Sequence, residues 1–262
     1  MTKTTFEHCR LDQDGAILTI TIDRPEVLNS LHQPAHFELQ RAFDVYAADP
    51  ALRVAIITGV GDRAFCVGTD LKSLAVSGSY EYPPGGFAGI TTRFDLWKPV
   101  IAAVNGLCLG GGAEIVAACD LAVAAEGAEF GLPEPRVGLA ALGGGALQRL
   151  ARQMPMKDAM WLVLTGKRIP AAEARRMSLV NEVVPRGEAL AGALALAREI
   201  LACAPLALEA SKQVMLQSVA EPDLAAAMRR TYPAALRMLA SEDALEGPRA
   251  FAEKRAPRWL GR

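Results

Sequence analysis

The chain has 262 residues, 51% hydrophobic and 22% charged, with 28 basic against 29 acidic side chains and a formal net charge of −1. That length suits one large domain or two small ones, with ample material for a core. Balanced charge without long runs of either sign, and only 6% aromatics, argue against a nucleic-acid partner.

The five cysteines are odd in number and form no CxxC pair, which fits buried free thiols in a reducing compartment. The N-terminal stretch MTKTTFEHCRLDQDG carries no apolar core of signal-peptide length. Apolar runs elsewhere are broken well short of about 18 residues. A cytoplasmic location without membrane spans is therefore the expectation.

In chain order, Ala16 to Ile22 alternates with period two and reads as a strand. From Pro34 to Ala48, Phe37, Phe43 and Tyr46 recur at helical spacing. Val54–Thr58, Val100–Val104 and Leu121–Ala124 are short apolar runs of the kind that form buried strands. Gly78 to Gly86 reads as a loop. Helices are expected over 113–118 and 147–152, preceded by the glycine clusters Gly110–Gly112 and Gly143–Gly145. From Met156 onward the pattern is helical, except for a strand-like 179–184. Strands alternating with helices and then a helical tail indicate an α/β core, with no sequence repeat of 20–50 residues.

Several motifs invite chemistry. Gly59-Val60-Gly61-Asp62-Arg63-Ala64 fits a dinucleotide fingerprint, but no amphipathic helix follows it, so a plain turn is favoured. His8, His32 and His36 lie away from the glycine clusters in sequence. They lack a further ligand at metal spacing, so surface histidines are favoured and no metal site is expected. No GxSxG nucleophile elbow occurs.

The glycines before Glu114 carry more. Glycine costs roughly 1 kcal/mol against alanine in a helix, so three together call for a reason. A carboxylate in a first helical turn is also what ordinary capping produces, and that reading stays open. But a strand that stops at Asn105-Gly106 and restarts as a helix leaves backbone N–H groups bare to a ligand oxygen. Such groups can hold a developing oxyanion. Glu134, held between Pro133 and Pro135, is either a charge on a rigid turn or a second fixed carboxylate.

The segments IDRPEVLNSL, AFCVGTDLKSL, KPVIAAVNGLCLGGGAEIVAACDLAVA, FGLPEPRVGL and FAEKRAPRW resemble the crotonase (enoyl-CoA hydratase/isomerase) superfamily, in its order and spacing over nearly the whole chain. The resemblance implies a spiral of ββα repeats over residues 1–195 and a helical trimerisation region over 196–262, in a homotrimer or dimer of trimers. It implies a hydratase acting on a trans-2-enoyl-CoA, with coenzyme A as part of the substrate and no prosthetic group. The thioester oxygen would be held by the N–H groups of Thr69 and Gly111, and a water by Glu114 and Glu134.

By the same resemblance, Arg24 and Lys72 would approach the CoA phosphates. The backbone of Val27 and Leu28, with Val67, Asp70 and Leu71, would line the CoA channel. Phe251 and Lys254 would reach the ligand of a neighbouring subunit. Val67 and Thr69 replace smaller residues of the family pattern, and Gly138–Leu142 lacks its usual proline, so an altered acyl pocket bordered by the Tyr80–Gly86 loop is expected. Isomerisation, or dehydration of a carnitinyl-CoA-like hydroxyacyl thioester, are the alternatives within the superfamily. A non-catalytic CoA-binding protein is the alternative outside it.

Overall fold

The computed structural model describes residues 6–79 and 81–262; Tyr80 of the expected pocket loop lies outside them. The chain opens with a hairpin, β1 (Cys9–Asp14) against β2 (Ile17–Ile22), turned at Gly15, whose φ of +58° suits glycine. β1 was not legible in the sequence because its polar, exposed pattern is that of an edge strand. After it come α1 (Gln33–Ala48), β3 (Val54–Gly59), β4 (Ala64–Cys66), α2 (Leu71–Ser77), β5 (Val100–Val104), β6 (Leu107–Leu109) and α3 (Gly111–Ala118). Then follow β7 (Leu121–Ala125), β8 (Glu129–Gly131), α4 (Ala146–Gln153), α5 (Met156–Thr165), β9 (Ile169–Pro170), α6 (Ala171–Arg176) and β10 (Glu182–Val184).

The strands form two sheets. The larger is six-stranded in the order β1-β2-β3-β5-β7-β10, parallel from β2 onward. The smaller is four-stranded, β4-β6-β8-β9, with β4, β6 and β8 parallel. Each turn of the chain thus lays one strand in the large sheet and the next in the small one before a helix returns it. The units β3-β4-α2, β5-β6-α3 and β7-β8-α4 are the spiral of ββα repeats. They start at Val54, Val100 and Leu121, spacings too uneven to register as a sequence repeat.

Side chains explain where the chain crosses between sheets. Asn105, just past β5, donates from Nδ2 to Gly59 O (2.9 Å) and Gly61 O (2.6 Å), so the second crossing is pinned on the first. Asn29 Nδ2 adds bonds to Val60 O (3.2 Å) and Ala64 O (2.8 Å). The dinucleotide-like GVGDRA segment is this pinned turn. The bare stop expected at Asn105-Gly106 is corrected: the chain resumes as β6 before the glycine triplet.

Both faces of the large sheet are covered, which is why its strands read as continuous apolar runs. One face packs Val54, Ile56, Ile101 and Val123 against Ala189, Ala193 and Ala197 of α7 (Ala189–Leu201). The other packs Ile20, Ile57, Ala102 and Ala124 into the main core with Leu39 and Phe43 of α1. The expected boundary at 195/196 falls inside α7, whose packing keeps it with the core.

The remaining helices are α8 (Pro205–Ser218), α9 (Leu224–Arg229), α10 (Pro233–Leu239) and α11 (Asp243–Ala252). Lys212 of α8 fastens them to the spiral by donating to Asp120 Oδ2 (2.7 Å) and Lys98 O (3.1 Å). Asp243 accepts from the N–H groups of Leu260 (2.7 Å) and Gly261 (2.9 Å), folding the last residues back.

Candidate active site

The small sheet positions the candidate residues. β4 runs into Val67-Gly68-Thr69, β6 into the glycine triplet and Glu114, and β8 into Glu134. Because these strands are parallel neighbours, their carboxyl ends lie side by side, where open α/β sheets place their ligands. Thr69, Gly111, Glu114 and Glu134, separated in sequence, meet on one edge for that reason.

Each glycine of the triplet answers a different close approach. Gly110 adopts φ +55°, and a Cβ there would stand 2.9 Å from Glu134 Oε1. A Cβ on Gly111 would stand 2.2 Å from Cζ of Phe87, and one on Gly112 would stand 2.0 Å from the Cys66 carbonyl oxygen. From the other side, a Cβ on Gly68 would come within 2.8 Å of Gly111 N. The segment carrying Thr69 is therefore pressed against the start of α3.

Both candidate donors are bare. Gly111 is the first residue of α3, where no intrahelical acceptor exists. Thr69 makes a parallel bridge with Leu31 in which Gly68 O and Asp70 N supply the hydrogen bonds, leaving the Thr69 N–H outside it. Neither N–H has a partner among the described residues.

The two carboxylates have unlike surroundings. Glu114 is buried, 3% exposed, and its Oε1 accepts from the Ala146 N–H (3.2 Å). Gly144 packs on it so closely that a Cβ would stand 2.7 Å from the Glu114 Cβ. Glu134 Oε2 is buried without a hydrogen-bond partner among the described residues. Burial pushes the Glu134 carboxyl above the usual carboxylate range; its own backbone N–H opposes this and the Glu114 charge adds to it. The pair is therefore within electrostatic reach, and the site favours the protonated form of Glu134 more than water does.

Sequence reasoning missed the wall behind Gly111. Phe87, buried, stacks edge-on against His36 at a ring separation of 4.5 Å. His36 Nδ1 accepts from the Ala88 N–H (3.0 Å). The expectation of surface histidines is corrected here: His36 is wholly buried, and burial pushes its imidazole down to about 3, so it is a neutral acceptor. Its position four residues after His32 was visible, but the identity of its buried partner was not.

The expected CoA residues divide. Arg24 pairs with Asp70 (3.2 Å), both side chains nearly buried at 12% and 11% exposure, and donates to Ser30 O (2.5 Å). Arg24 thus helps to hold the 67–72 segment. Asp70 also caps α2 by accepting from the Ser73 N–H (3.2 Å). Val67 is half-buried beside the triplet, and Leu71 and Lys72 are exposed on α2. Val27 and Leu28 form a tight turn that uses both their N–H groups, on Arg24 O and Pro25 O. Phe251 and Lys254 stand exposed at the end of α11, and no bond or ring contact among the described residues joins them to the cleft.

Of the pocket loop, Tyr82 stacks on His36 with its hydroxyl 3.7 Å from where a Gly143 Cβ would lie, a point 3.6 Å from Glu114 Oε2. The 81–86 loop and the second glycine cluster therefore border the same cleft.

Known proteins resemble this chain in sequence and fold. The sequence pattern of the enoyl-CoA hydratase/isomerase family matches residues 12–262. A carnitinyl-CoA dehydratase of Salmonella typhi is 44% identical over 264 residues, covering 98% of this chain and 99% of that one. Among solved structures, an enoyl-CoA hydratase from Mycobacterium marinum superposes with a TM-score of 0.91 at 41% identity, covering 97% of this chain and 99% of that one. One from Bacillus anthracis superposes with a TM-score of 0.88 at 33% identity, covering 98% and 100%. With its spiral of ββα repeats and these relatives, the chain belongs to the enoyl-CoA hydratase/isomerase family of the crotonase superfamily, enzymes that act on CoA thioesters as hydratases, dehydratases or isomerases.

Proposed function

We propose that the protein is a hydro-lyase that interconverts a trans-2-enoyl-CoA and water with the 3-hydroxyacyl-CoA. The observation that carries this is the pair of unlike carboxylates, Glu114 and Glu134, beside two backbone N–H groups that have no partner among the described residues. Isomerisation needs one carboxylate to move one proton, whereas adding water requires a proton taken from water and another given to carbon.

In hydration, ionised Glu114 takes a proton from water and the oxygen bonds to C3. The C2–C3 π electrons move toward the thioester, and the enolate oxygen is held by the N–H groups of Thr69 and Gly111. Loss of one such donor typically costs about 3 kcal/mol of transition-state stabilisation. Protonated Glu134 then delivers its proton to C2. A proton passing from Glu114 to Glu134 resets the pair, and dehydration is the reverse.

The 44% identity to a carnitinyl-CoA dehydratase favours a second reading, the same chemistry run as dehydration on a polar acyl group. Lys72 and the 67–72 segment serve as the CoA side of the cleft, and assembly into trimers brings Phe251 and Lys254 to a neighbour's ligand. The decisive experiment offers the purified protein crotonyl-, longer-chain, branched and carnitinyl-CoA thioesters. Loss of enoyl absorbance with a mass gain of one water, or its reverse, supports the reading. No water added to or removed from any of them overturns it.

A further inference from the structure

Arg149, in the first turns of α4, points its guanidinium into the protein rather than toward solvent. Nη1 donates to Gly144 O (2.9 Å) and Nη2 to Thr91 O (2.5 Å). Those two carbonyls belong to different walls of the cleft. Gly144 is the residue packed on the Glu114 side chain, and the Ala146 N–H two residues on is the Glu114 donor. Thr91 ends the loop whose Phe87 ring lies on Gly111. The other end of that loop is already tied, by Gly85 N–H to Gln40 Oε1 (2.7 Å) and Ala88 N–H to His36 Nδ1 (3.0 Å). One planar, bidentate group thus ties the loop that backs Gly111 to the segment that packs on the Glu114 side chain, with α3 carrying both residues between them.

We propose that Arg149 is a positioning residue of this site, a cross-brace that holds the Phe87 loop and the Gly144–Ala146 segment against α3 and so fixes the Glu114 carboxylate beside the Gly111 N–H. A rigid fork suits that task better than an ammonium, which bonds without fixing a plane.

Its electrostatics are unusual for a mere surface staple. No carboxylate forms a salt bridge with Arg149 among the described residues. Burial works against its charge, and Cys119 and Glu114 oppose that effect. The Cys119 thiol is itself driven far up by burial and stays neutral, which leaves Glu114 as the group that supports the guanidinium charge. The Phe94 ring, 5.8 Å from the guanidinium carbon, shields its other side. A partly buried cation held by two carbonyls, its charge favoured by the acid–base glutamate, ties the charge to the site as well as the geometry.

The inference rests on the proposed hydro-lyase reading, so its test has two readouts. Arg149→Gln and Arg149→Lys are purified and checked for cooperative melting. Hydration of crotonyl-CoA gives kcat and KM. Deuterium uptake at the α-carbon of a saturated acyl-CoA, followed by NMR, reads the oxyanion and carboxylate geometry without any water addition. A misplacement near 1 Å lowers turnover by about 100-fold. Arg149→Gln is therefore expected to lose about 30- to 100-fold in kcat and in α-exchange, with KM and acyl-CoA affinity within about threefold. Arg149→Lys retains the charge but not the fork and falls between.

A folded Arg149→Gln protein with kcat and exchange within threefold of the parent overturns the proposal, as does a loss carried by KM alone. Should Arg149→Gln fail to fold, Arg149→Lys decides by the same criteria. If the parent exchanges α-protons but hydrates nothing, the hydro-lyase reading fails while the exchange measurements still judge Arg149.

Discussion

Glu114 and Glu134 are electrostatic neighbours with unequal partners: Glu114 Oε1 holds the Ala146 N–H, while Glu134 Oε2 is buried with no partner among the described residues. Hydration requires the proton on Glu134 and dehydration requires it on Glu114. Both states carry one proton on the pair, so kcat/KM in the two directions should follow one pH profile. Its basic limb should lie above the ordinary glutamate range, because burial and the Glu114 charge both favour protonated Glu134. Initial rates from enoyl-CoA and from hydroxyacyl-CoA across pH check this; differently shaped profiles would sink the shared-proton mechanism.

Glu134→Gln should lower kcat by about 10²- to 10⁴-fold while acyl-CoA still binds. It should also change stability in a direction set by linkage. The folded pKa of Glu134 is raised, so its stabilising share is present at low pH and lost as pH rises through that value. Glutamine does not titrate, so the variant should gain on the parent as pH rises. Melting temperatures across pH, with isothermal binding of acyl-CoA, measure both effects.

Gly111→Ala and Gly112→Ala should fail differently. The first places a methyl 2.2 Å from the Phe87 ring, a side chain that can shift, and overpacking of this kind costs about 1–3 kcal/mol. The second drives a methyl into the Cys66 carbonyl, which is backbone and cannot yield without disrupting β4. Gly112→Ala should therefore be the less stable by denaturant titration, and Phe87→Leu should restore stability to Gly111→Ala only.

The spiral was legible in outline and the site only in pieces. Val54–Gly59, Val100–Val104 and Leu121–Ala125 announced themselves because strands buried on both faces are unbroken apolar runs. β4, β6 and β8 did not, since three-residue strands are shorter than any period that could reveal them. Those are the strands that align Thr69, Gly111 and Glu134, so the residues could be suspected singly but their meeting rested on resemblance. Arg24 shows a different gap: a basic residue in a family motif was read toward phosphate, while its ion pair with Asp70, 46 positions later, was invisible as a contact.

Asp70→Asn should leave Arg24 nearly buried without its counter-charge. Breaking such a pair from one side costs about 3–5 kcal/mol, more than removing both partners together. Arg24→Met with Asp70→Asn should accordingly be more stable than Asp70→Asn alone in a urea melt. Burial raises the Asp70 carboxyl, but the Ser73 N–H and Arg24 outweigh it and hold it below the usual range. The parent's stability from this pair should therefore persist above the unfolded aspartate value and fade as pH drops through the folded one.

His36 sets a second acid threshold. Its imidazole is neutral down to about 3 in the fold but ionises near 6.5 when free. Its contribution is complete above 6.5 and declines at about 1.4 kcal/mol per pH unit below it. His36→Asn should flatten the acid limb of stability between those values, as followed by thermal melts. An unchanged limb would place the loss elsewhere.

The uneven winding of the spiral has an evolutionary consequence. The three short strands whose tips carry the reacting groups are joined to the next strand by very different lengths of chain, residues 132–168 between β8 and β9 being the longest and residues 67–99 between β4 and β5 the next. That stretch and the 138–145 segment border the cleft, yet neither supplies a rung of either sheet. Substitutions and insertions can accumulate there while the strand tips stay in register. Libraries aimed at new acyl groups should therefore diversify these two excursions outside Gly68–Asp70, Phe87, Thr91 and Gly144, and leave the ladder between them untouched.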